Sequence, residues 1–348
     1  MRHINIPIFI PHLGCPNACV FCNQKKISGV NHFSLSDVET TIEEVLSTTT
    51  AEDDVEIAFF GGSFTAIDRS LMIQLLEIGN SYMQKGLVKS LRCSTRPDAI
   101  NDEILKILRG YGMKTIELGM QSASDRVLSK TNRGHSYMQT VSSVQLIKKY
   151  GFQLVLQMMI GLPDATIEDE VRTAEQIAKL GADGARLYPT VVFYDTELCK
   201  MARRGEYTPL TNEEAVRRSL AVLRVLHQNN IRVIRIGLCS SDTLSSADEV
   251  YGGANHPALG ELVYSELYYE KIVELLSESN GHAETVTIFV NKGELSRAIG
   301  HKKKNKMRLM EMFSLKDIRF VERSVPSTKM VSLTEEYSGE DERIIQCI

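Results

Sequence analysis

The stretch "KTIELGMQSASDRVLSKTNRGHSYMQTVSSVQLIKKYGFQLVLQMM", residues 114–159, decides the fold. An apolar run, "KTIEL" (114–118), gives way to polar residues. "SYMQTVSSVQLIKKYG" then repeats its apolar positions at helical spacing and closes on Gly151. A second apolar run, "FQLVLQMM" (152–159), starts directly after that glycine. Strand, helix and strand with short joins make a βαβ unit, whose strands run parallel through a right-handed crossover. Both runs are rich in Ile, Leu, Val and Met with little alternation, as expected of strands buried on both faces.

The same reading extends outward. Strands are predicted at "NIPIFI" (5–10), "EIAFF" (56–60), "SLRCS" (90–94) and "ARLYP" (185–189). Helices lie between them. "LSDVETTIEEVL" puts Val38, Ile42, Val45 and Leu46 on one face after a Ser36 or Asp37 cap. "PDAINDEILKILRG" does the same with Ile100, Ile104, Ile107 and Leu108 and stops at Gly110. Six such units end near residue 190, short of the roughly 250 residues of a closed eight-fold barrel. The expected fold is therefore α/β, a partial (β/α)6 TIM-like barrel with a small α+β C-terminal extension. Past the barrel, "TNEEAVRRSLAVLRVL" opens with a capping box, Thr211 with Glu214. "IRVIRIGL" (231–238) reads as a strand and "NHPALGELVYSELYYEKIVELL" as a long helix after Pro257. Residues 284–333 read strand, helix, strand, strand. The expected division is a barrel at 1–190, an extension packed on it at 191–282, a small basic α+β unit at 283–334 and a frayed acidic tail at 335–348.

With 348 residues, 43% of them hydrophobic, the chain can bury one large core and a smaller appended one. A net charge of −4 excludes polyanion binding by bulk charge. No run approaches the eighteen apolar residues of a membrane span, and the apolar part of the N-terminus is too short for a secretory signal. Seven cysteines, an odd number with three clustered, argue against a disulfide framework. A cytoplasmic protein is expected.

The clustered thiols lie in "GCPNACVFCNQKKISG" (14–29), where Cys15, Cys19 and Cys22 are spaced C-x3-C-x2-C. A structural zinc site takes four ligands, usually as two pairs. Cys19 and Cys22 make one pair, but Cys15 has no matching partner, and Cys93, Cys199, Cys239 and Cys347 stand singly. A fourth ligand from His12 or Cys93 keeps a zinc or structural cluster site open. A four-iron cluster on three thiolates instead leaves one iron for an exogenous ligand, the mark of a reactive site.

C-x3-C-x2-C with an aromatic, Phe21, before its last cysteine resembles the radical S-adenosylmethionine (SAM) superfamily. The resemblance implies a [4Fe-4S] cluster on catalytic Cys15, Cys19 and Cys22, with SAM chelating the open iron. An electron from a low-potential donor such as flavodoxin or ferredoxin then splits the sulfonium into methionine and a 5′-deoxyadenosyl radical. Phe21 is expected to pack by the adenine. "GGSFTAID" after the second strand resembles the glycine motif that holds the methionine amino group, through Gly61, Gly62 and Ser63. In "STRPDAI" Ser94 stands where relatives often carry Glu near SAM, and Arg96 is either a ligand contact or a turn residue. "ELGMQSASDRVLSKTNRGHS" (117–136) resembles the Gln-Ser and Arg-x-His segments of the coproporphyrinogen dehydrogenase and Elongator branch. That match puts Gln121 on the ribose or carboxylate and Arg133 on the carboxylate; His135 orients the segment or caps the next helix. "MMIGLPDAT" (158–166) resembles that branch's G-L-P-G-x-T turn, with Gln157 where an Asp often contacts the ribose and Asp164 in place of a turn Gly. Every motif falls at the C-terminal end of a predicted strand, where barrel enzymes carry their reactive groups.

Residues 185–265, with "YPT", "T-x-L", "G-x-Y" and "R-I-G", resemble the radical domain of the Elongator catalytic subunit. That subunit modifies wobble uridine in tRNA and joins this domain to an acetyltransferase, which is not expected here after residue 265. In "GELSRAIGHKKKNKMRLMEMF" (293–313), Lys302, Lys303, Lys304, Lys306 and Arg308 open an amphipathic helix. Between Asn291 and Met330 there are eleven Lys or Arg against four Asp or Glu. "IGHKKKN" loosely resembles the I-G-x-x-G turn of a KH module, which clamps a nucleic-acid backbone, with Lys303 in place of the second glycine. RNA, and tRNA in particular, is the expected substrate. Two alternatives stay open: the same radical chemistry on a small molecule such as a porphyrin, and a non-catalytic metal-bound RNA-binding protein.

Overall fold

The computed structural model describes residues 2–10, 13–15, 19–23, 33–238, 246, 248–278 and 284–323, and the backbone of 331–336 and 342–345. The chain divides into two compact units, Met1–Pro257 and Ala258–Ile348.

In the first unit strands and helices alternate: β1 (His3–Ile10), α1 (Ser36–Leu46), β2 (Asp54–Gly61), α2 (Arg69–Gln84), β3 (Ser90–Thr95), α3 (Asp102–Gly110) and β4 (Met113–Gln121). There follow α4 (Asp125–Lys130), α5 (Tyr137–Lys149), β5 (Gln153–Ile160), α6 (Ile167–Lys179), β6 (Gly184–Pro189), β7 (Val191–Phe193), α7 (Glu197–Arg203), α8 (Asn212–Gln228), β8 (Arg232–Ile236) and β9 (Val250–Gly253). One sheet has the order β1-β2-β3-β4-β5-β6-β8, parallel throughout, and curls into a half barrel. Helix starts carry the expected chemistry: Ser136 with Gln139 and Thr166 with Asp169 form capping boxes, and the Thr211 hydroxyl accepts from the Glu214 amide. Helix α1 has no side-chain cap; Ser36 sits inside its first turn.

Two sequence expectations change here. The half barrel has seven strands, because "IRVIRIGL" joins the sheet beside β6. Helix α8 is its crossover helix, and the insertion of β7 and α7 hides the seventh unit in the sequence. The strands are buried on both faces, as expected, but the faces differ. One, packed by helices, carries Ile6, Ile8, Ile57, Phe59, Leu91, Ile116, Leu118, Leu154 and Leu156. The other, the concave face, carries Glu56, Arg92, Glu117 and Arg186, all less than a tenth exposed. The period of two was therefore present, with charged residues on a buried face.

The second unit runs α9 (Leu259–Glu278), β10 (Thr285–Val290), α10 (Leu295–Ile299), α11 (Lys304–Met312), β11 (Asp317–Glu322), β12 (Val331–Glu336) and β13 (Glu342–Ile345). Its sheet order is β11-β10-β12-β13, with β10 and β11 parallel and β12 antiparallel to β10. Tyr268, Ile272, Leu275 and Leu276 of α9 pack with Val286, Ile288, Val290, Leu309 and Ile318. The helix that the sequence division grouped with 191–282 thus supplies the core of this unit. Where one helix was predicted there are two, broken at Gly300 with φ +80°. The tail expected to fray contributes β13, paired with β12. No helix among the described residues is long and apolar enough to cross a membrane.

Candidate functional site

The cysteine loop leaves the C-terminal end of β1 and is held at both ends by backbone. The Gly62 amide donates to the Ile10 carbonyl (3.0 Å) and the Ser63 amide to the Leu13 carbonyl (3.0 Å). Gly61 has φ +112°, and a side chain at Gly62 would run into the Leu13 carbonyl oxygen. The glycine pair thus admits the cysteine loop's own backbone. Farther along, the Val20 amide donates to the Thr131 carbonyl (3.1 Å) and the Leu198 amide to the Val20 carbonyl (2.8 Å). The Cys22 amide closes a tight turn on the Cys19 carbonyl (3.0 Å). Phe21, within that turn, packs partly buried against Val192, Leu198, Cys199 and Met201.

Cys15, Cys19 and Cys22 form no disulfide among the described residues, and Cys19 is buried. Two guanidinium groups stand beside them. Arg133 directs Nη1 at the Cys19 sulfur (3.4 Å) and Nη2 at the Gly119 carbonyl (2.8 Å). A side chain at Gly119 would collide with Arg133 and Gln121, so that glycine makes their room. Arg96 is 2% exposed and grips Asp98 through Nε and Nη2, both at 2.9 Å. Its amide donates to the Ser63 hydroxyl (3.2 Å), which also pairs with the Thr95 hydroxyl (2.8 Å). Burial pushes the Cys15 thiol up from its ordinary pKa, and Arg133 and then Arg96 oppose that rise.

Gln121 ends β4 at φ +64°, and the Ser122 amide reaches back to the Met120 carbonyl (2.8 Å). A non-glycine residue held there carries strain of about 1–3 kcal/mol, a pattern that clusters at ligand sites. Gln121, Arg133 and His135 are each less than a tenth exposed. Among the described residues, Arg96 Nη1, Gln121 Oε1, Arg133 Nε and both ring nitrogens of His135 are buried without a well-formed hydrogen bond, although the His135 ring lies against the Met120 backbone. Each such atom costs about 1–3 kcal/mol unless something else satisfies it. Burial and then Arg133 lower the His135 pKa to about 4, so the imidazole is neutral at pH 7. Ser136, not His135, caps α5.

Ser94 and Gln157 lie one layer deeper on the concave face. Gln157 Nε2 donates to the Ser94 hydroxyl (3.2 Å) and to Glu117 Oε2 (2.8 Å). Glu117, fully buried, also receives Arg92 Nη1 (2.8 Å) and Arg186 Nη2 (3.0 Å). Arg92 Nε continues to Glu56 (2.6 Å), which Ser90 caps at 2.9 Å. The two departures from the family pattern thus hold each other, and Gln157 ties them to the Glu117 carboxylate. The sequence reading missed Glu117; its signal was the polar alternation Thr115, Glu117, Gly119, Gln121 in β4.

Of the proposed fourth ligands, His12 lies outside the described residues, as do Cys239 and Cys347. Cys93 is fully buried on the helix-packed side of β3, in register with Phe59, and burial pushes its thiol well up. Among the described residues no three His, Cys, Asp or Glu side chains are drawn into one metal-holding set. The three thiols share a loop without converging.

In the second unit the basic candidates separate. Lys304 pairs with Glu266 (3.1 Å) and Lys306 with Asp317 (2.7 Å). Arg308 also pairs with Glu266 (2.8 Å) and lies 3.5 Å over the Tyr269 ring. Lys302 and Lys303 form no ion pair among the described residues. They stand at φ +51° and +61° in the turn after Gly300, which packs on the buried Asn305.

A model of the radical SAM superfamily matches residues 9–177, and one of the radical SAM C-terminal domain matches residues 182–269. The chain belongs to the radical SAM superfamily. Among its relatives, a tRNA uridine(34) acetyltransferase of Methanocaldococcus infernus is 28% identical over 239 residues, 63% of this chain and 43% of that protein. Human Elongator complex protein 3 is 31% identical over 205 residues, 52% of this chain and 38% of that protein. The chain spans less than half the length of either. The solved structure of M. infernus Elp3, with its N-terminus deleted, superposes with a TM-score of 0.63 at 22% identity, covering 77% of this chain and 63% of that one, and so shares the fold. Radical SAM membership implies a [4Fe-4S] cluster and SAM. The residues fit both: three soft thiols in no disulfide, suited to iron, a guanidinium donor on one of them, and buried polar atoms around them that are unmatched among the described residues.

Proposed function

We propose that this protein is a radical SAM enzyme that reductively cleaves SAM at a [4Fe-4S] cluster held by Cys15, Cys19 and Cys22, and that its substrate is RNA, tRNA first. The observation that carries the reading is the set of polar atoms of Arg96, Gln121, Arg133 and His135, buried and unmatched among the described residues, beside the three clustered thiols. When bound, the cluster and SAM supply the low-potential electron transfer and the sulfonium to be split. The chain's residues do the rest. Arg133 fixes the Cys19 sulfur and presents positive charge to a carboxylate. Gln121 offers an acceptor from a strained, fixed position. Neutral His135 offers one donor and one acceptor without adding charge. Gly61, Gly62 and Ser63 set the height of the cysteine loop. Ser94 and Gln157, through Glu117, hold the layer beneath, and burial of the whole set excludes water.

For the substrate, the support comes from the relatives named for tRNA and Elongator and from Lys302 and Lys303, which form no ion pair among the described residues. A flavodoxin or ferredoxin is the fitting electron donor. The test is anaerobic reconstitution followed by a 5′-deoxyadenosine assay with and without bulk tRNA. The expected protein holds about four irons and four sulfides and forms 5′-deoxyadenosine faster with tRNA. Zinc without labile sulfide, or no SAM cleavage under strong reductant, would overturn the enzyme reading. Cleavage indifferent to RNA would overturn the substrate.

A further inference from the structure

We propose that Arg96 is a further positioning residue of this site, and that its Nη1 group donates to an anion held at the cysteine loop. The inference rests on the reading above, that the loop carries the cluster and SAM. A guanidinium offers five N–H donors in a rigid fork. Asp98 takes the Nε and Nη2 edge at 2.9 Å each. Nη1 is buried and has no hydrogen-bond acceptor among the described residues.

The side chain is not free to find one elsewhere. Asp98 holds the guanidinium across Pro97, whose ring fixes φ. The Pro97 carbonyl accepts from the Ser143 hydroxyl (2.6 Å), and the Arg96 carbonyl from the Ala99 amide (3.2 Å). The Arg96 amide is tied to Ser63. Arg96 and Asp98 also line a cleft of about 230 Å³ with Thr65, Ala66, Arg69 and Asn101. Nη1 does not open onto that cleft, since it has essentially no exposure.

The Arg96 backbone is tied to the cysteine loop: its amide donates to the Ser63 hydroxyl (3.2 Å), and the Ser63 amide donates to the Leu13 carbonyl (3.0 Å), two residues before Cys15. After Asp98, the charges that act on Arg96 are those of Cys19 and Cys15. The neighbouring guanidinium is engaged differently. Arg133 turns Nη1 to the Cys19 sulfur and Nη2 to the Gly119 carbonyl, so both of its η nitrogens already bear a bond. In Arg96 the Nη1 nitrogen has no acceptor among the described residues. The anion it suits is either sulfur of the cluster or the carboxylate of the methionyl group.

Three full-length variants test this after anaerobic reconstitution: R96Q, R96K and D98N. Iron and sulfide content, the cluster midpoint potential without SAM, and SAM affinity by equilibrium dialysis are measured on each. If the acceptor is cluster sulfur, R96Q shifts the potential to more negative values before SAM is added. If it is the carboxylate, the potential holds and SAM binds about tenfold or more weakly, as loss of a charge-assisted contact predicts. R96K, with the charge but not the fork, recovers part of either loss, and D98N moves the same readout less. R96Q that loads its cluster with potential and SAM affinity both unchanged overturns the assignment. Should R96Q fail to fold or load, R96K and D98N decide it, and no shift in either readout overturns it. Wild-type protein that takes up no cluster would instead overturn the underlying reading, and this inference with it.

Discussion

The concave-face network and the edge above it use the same residue types in opposite ways. In the network, Glu56, Arg92, Glu117 and Arg186 alternate in sign, and Ser94 and Gln157 fill the remaining positions. Two negative and two positive groups cancel, and the chain of ion pairs is held internally; Arg186 Nε makes no well-aligned hydrogen bond but lies 2.8 Å from Glu117 Oε2. At the edge, Arg96, Gln121, Arg133 and His135 are equally buried, yet each keeps an atom with no hydrogen bond among the described residues. A matched buried network adds rigidity; an unmatched one is costly unless a ligand completes it. On the function proposed above, the difference separates the part of the half barrel that builds the site from the part that would bind.

The comparison can be broken at several points. The largest effect is expected from Cys15→Ala, Cys19→Ala or Cys22→Ala: each should abolish cluster loading and bring 5′-deoxyadenosine to background, read as iron, sulfide and product. A variant that still loads and turns over removes that cysteine from the ligand set. Next, E117A leaves two buried guanidinium groups without their shared carboxylate and should cost about 3–5 kcal/mol in denaturant unfolding. A loss under about 1 kcal/mol would mean that the network is not a structural unit.

His135 gives a pH signature. Its folded pKa, about 4, lies below the ordinary 6.5, so the unfolded chain binds more protons between those values. Its contribution is full above pH 6.5 and is lost as pH falls toward 4, at most about 3 kcal/mol. Asp98 favours the charged ring while Arg133 and Arg96 oppose it. H135Q should lose less stability than wild type over that window; parallel stability curves would place the acid sensitivity elsewhere.

R133M should weaken SAM binding about tenfold or more while changing stability by only about 1 kcal/mol, the reverse of the E117A pattern. Equal effects on both quantities would erase the distinction between the two regions. The smallest effect belongs to S94A, which removes one hydrogen bond to Gln157 and should cost about 1 kcal/mol. A loss of SAM affinity instead would move Ser94 from the network to the ligand.

Much of this was legible in the sequence because apolar runs, glycine stops and helix caps are local. Cys15, Cys19, Gln121 and Arg133, far apart in the chain, meet at one sheet edge because each follows a strand of the same parallel sheet. What stayed illegible depends on distant partners. Lys304, Lys306 and Arg308 look like a free basic face until Glu266 and Asp317 are brought to them. Ser94 and Gln157 look like two separate departures until Glu117 joins them. Arg96 was readable either as a contact or as a turn residue, and only its burial decides. The nearest local hint was the spacing of Arg96, Pro97 and Asp98, which closes an ion pair across a rigid residue.

The four bonds that suspend the cysteine loop, from Gly62, Ser63, Val20 and Leu198, are all backbone to backbone. None of these four reads a side chain, although Val20 and Phe21 also pack on Val192, Leu198, Cys199 and Met201. A single methyl group on Gly62, by contrast, would collide with the Leu13 carbonyl and lift the loop. Mutational tolerance in this loop should be set by the glycine two strands' width of sequence away more than by the loop's own letters. A saturation library across 14–23 and 60–63 would make that inverted map of constraint visible.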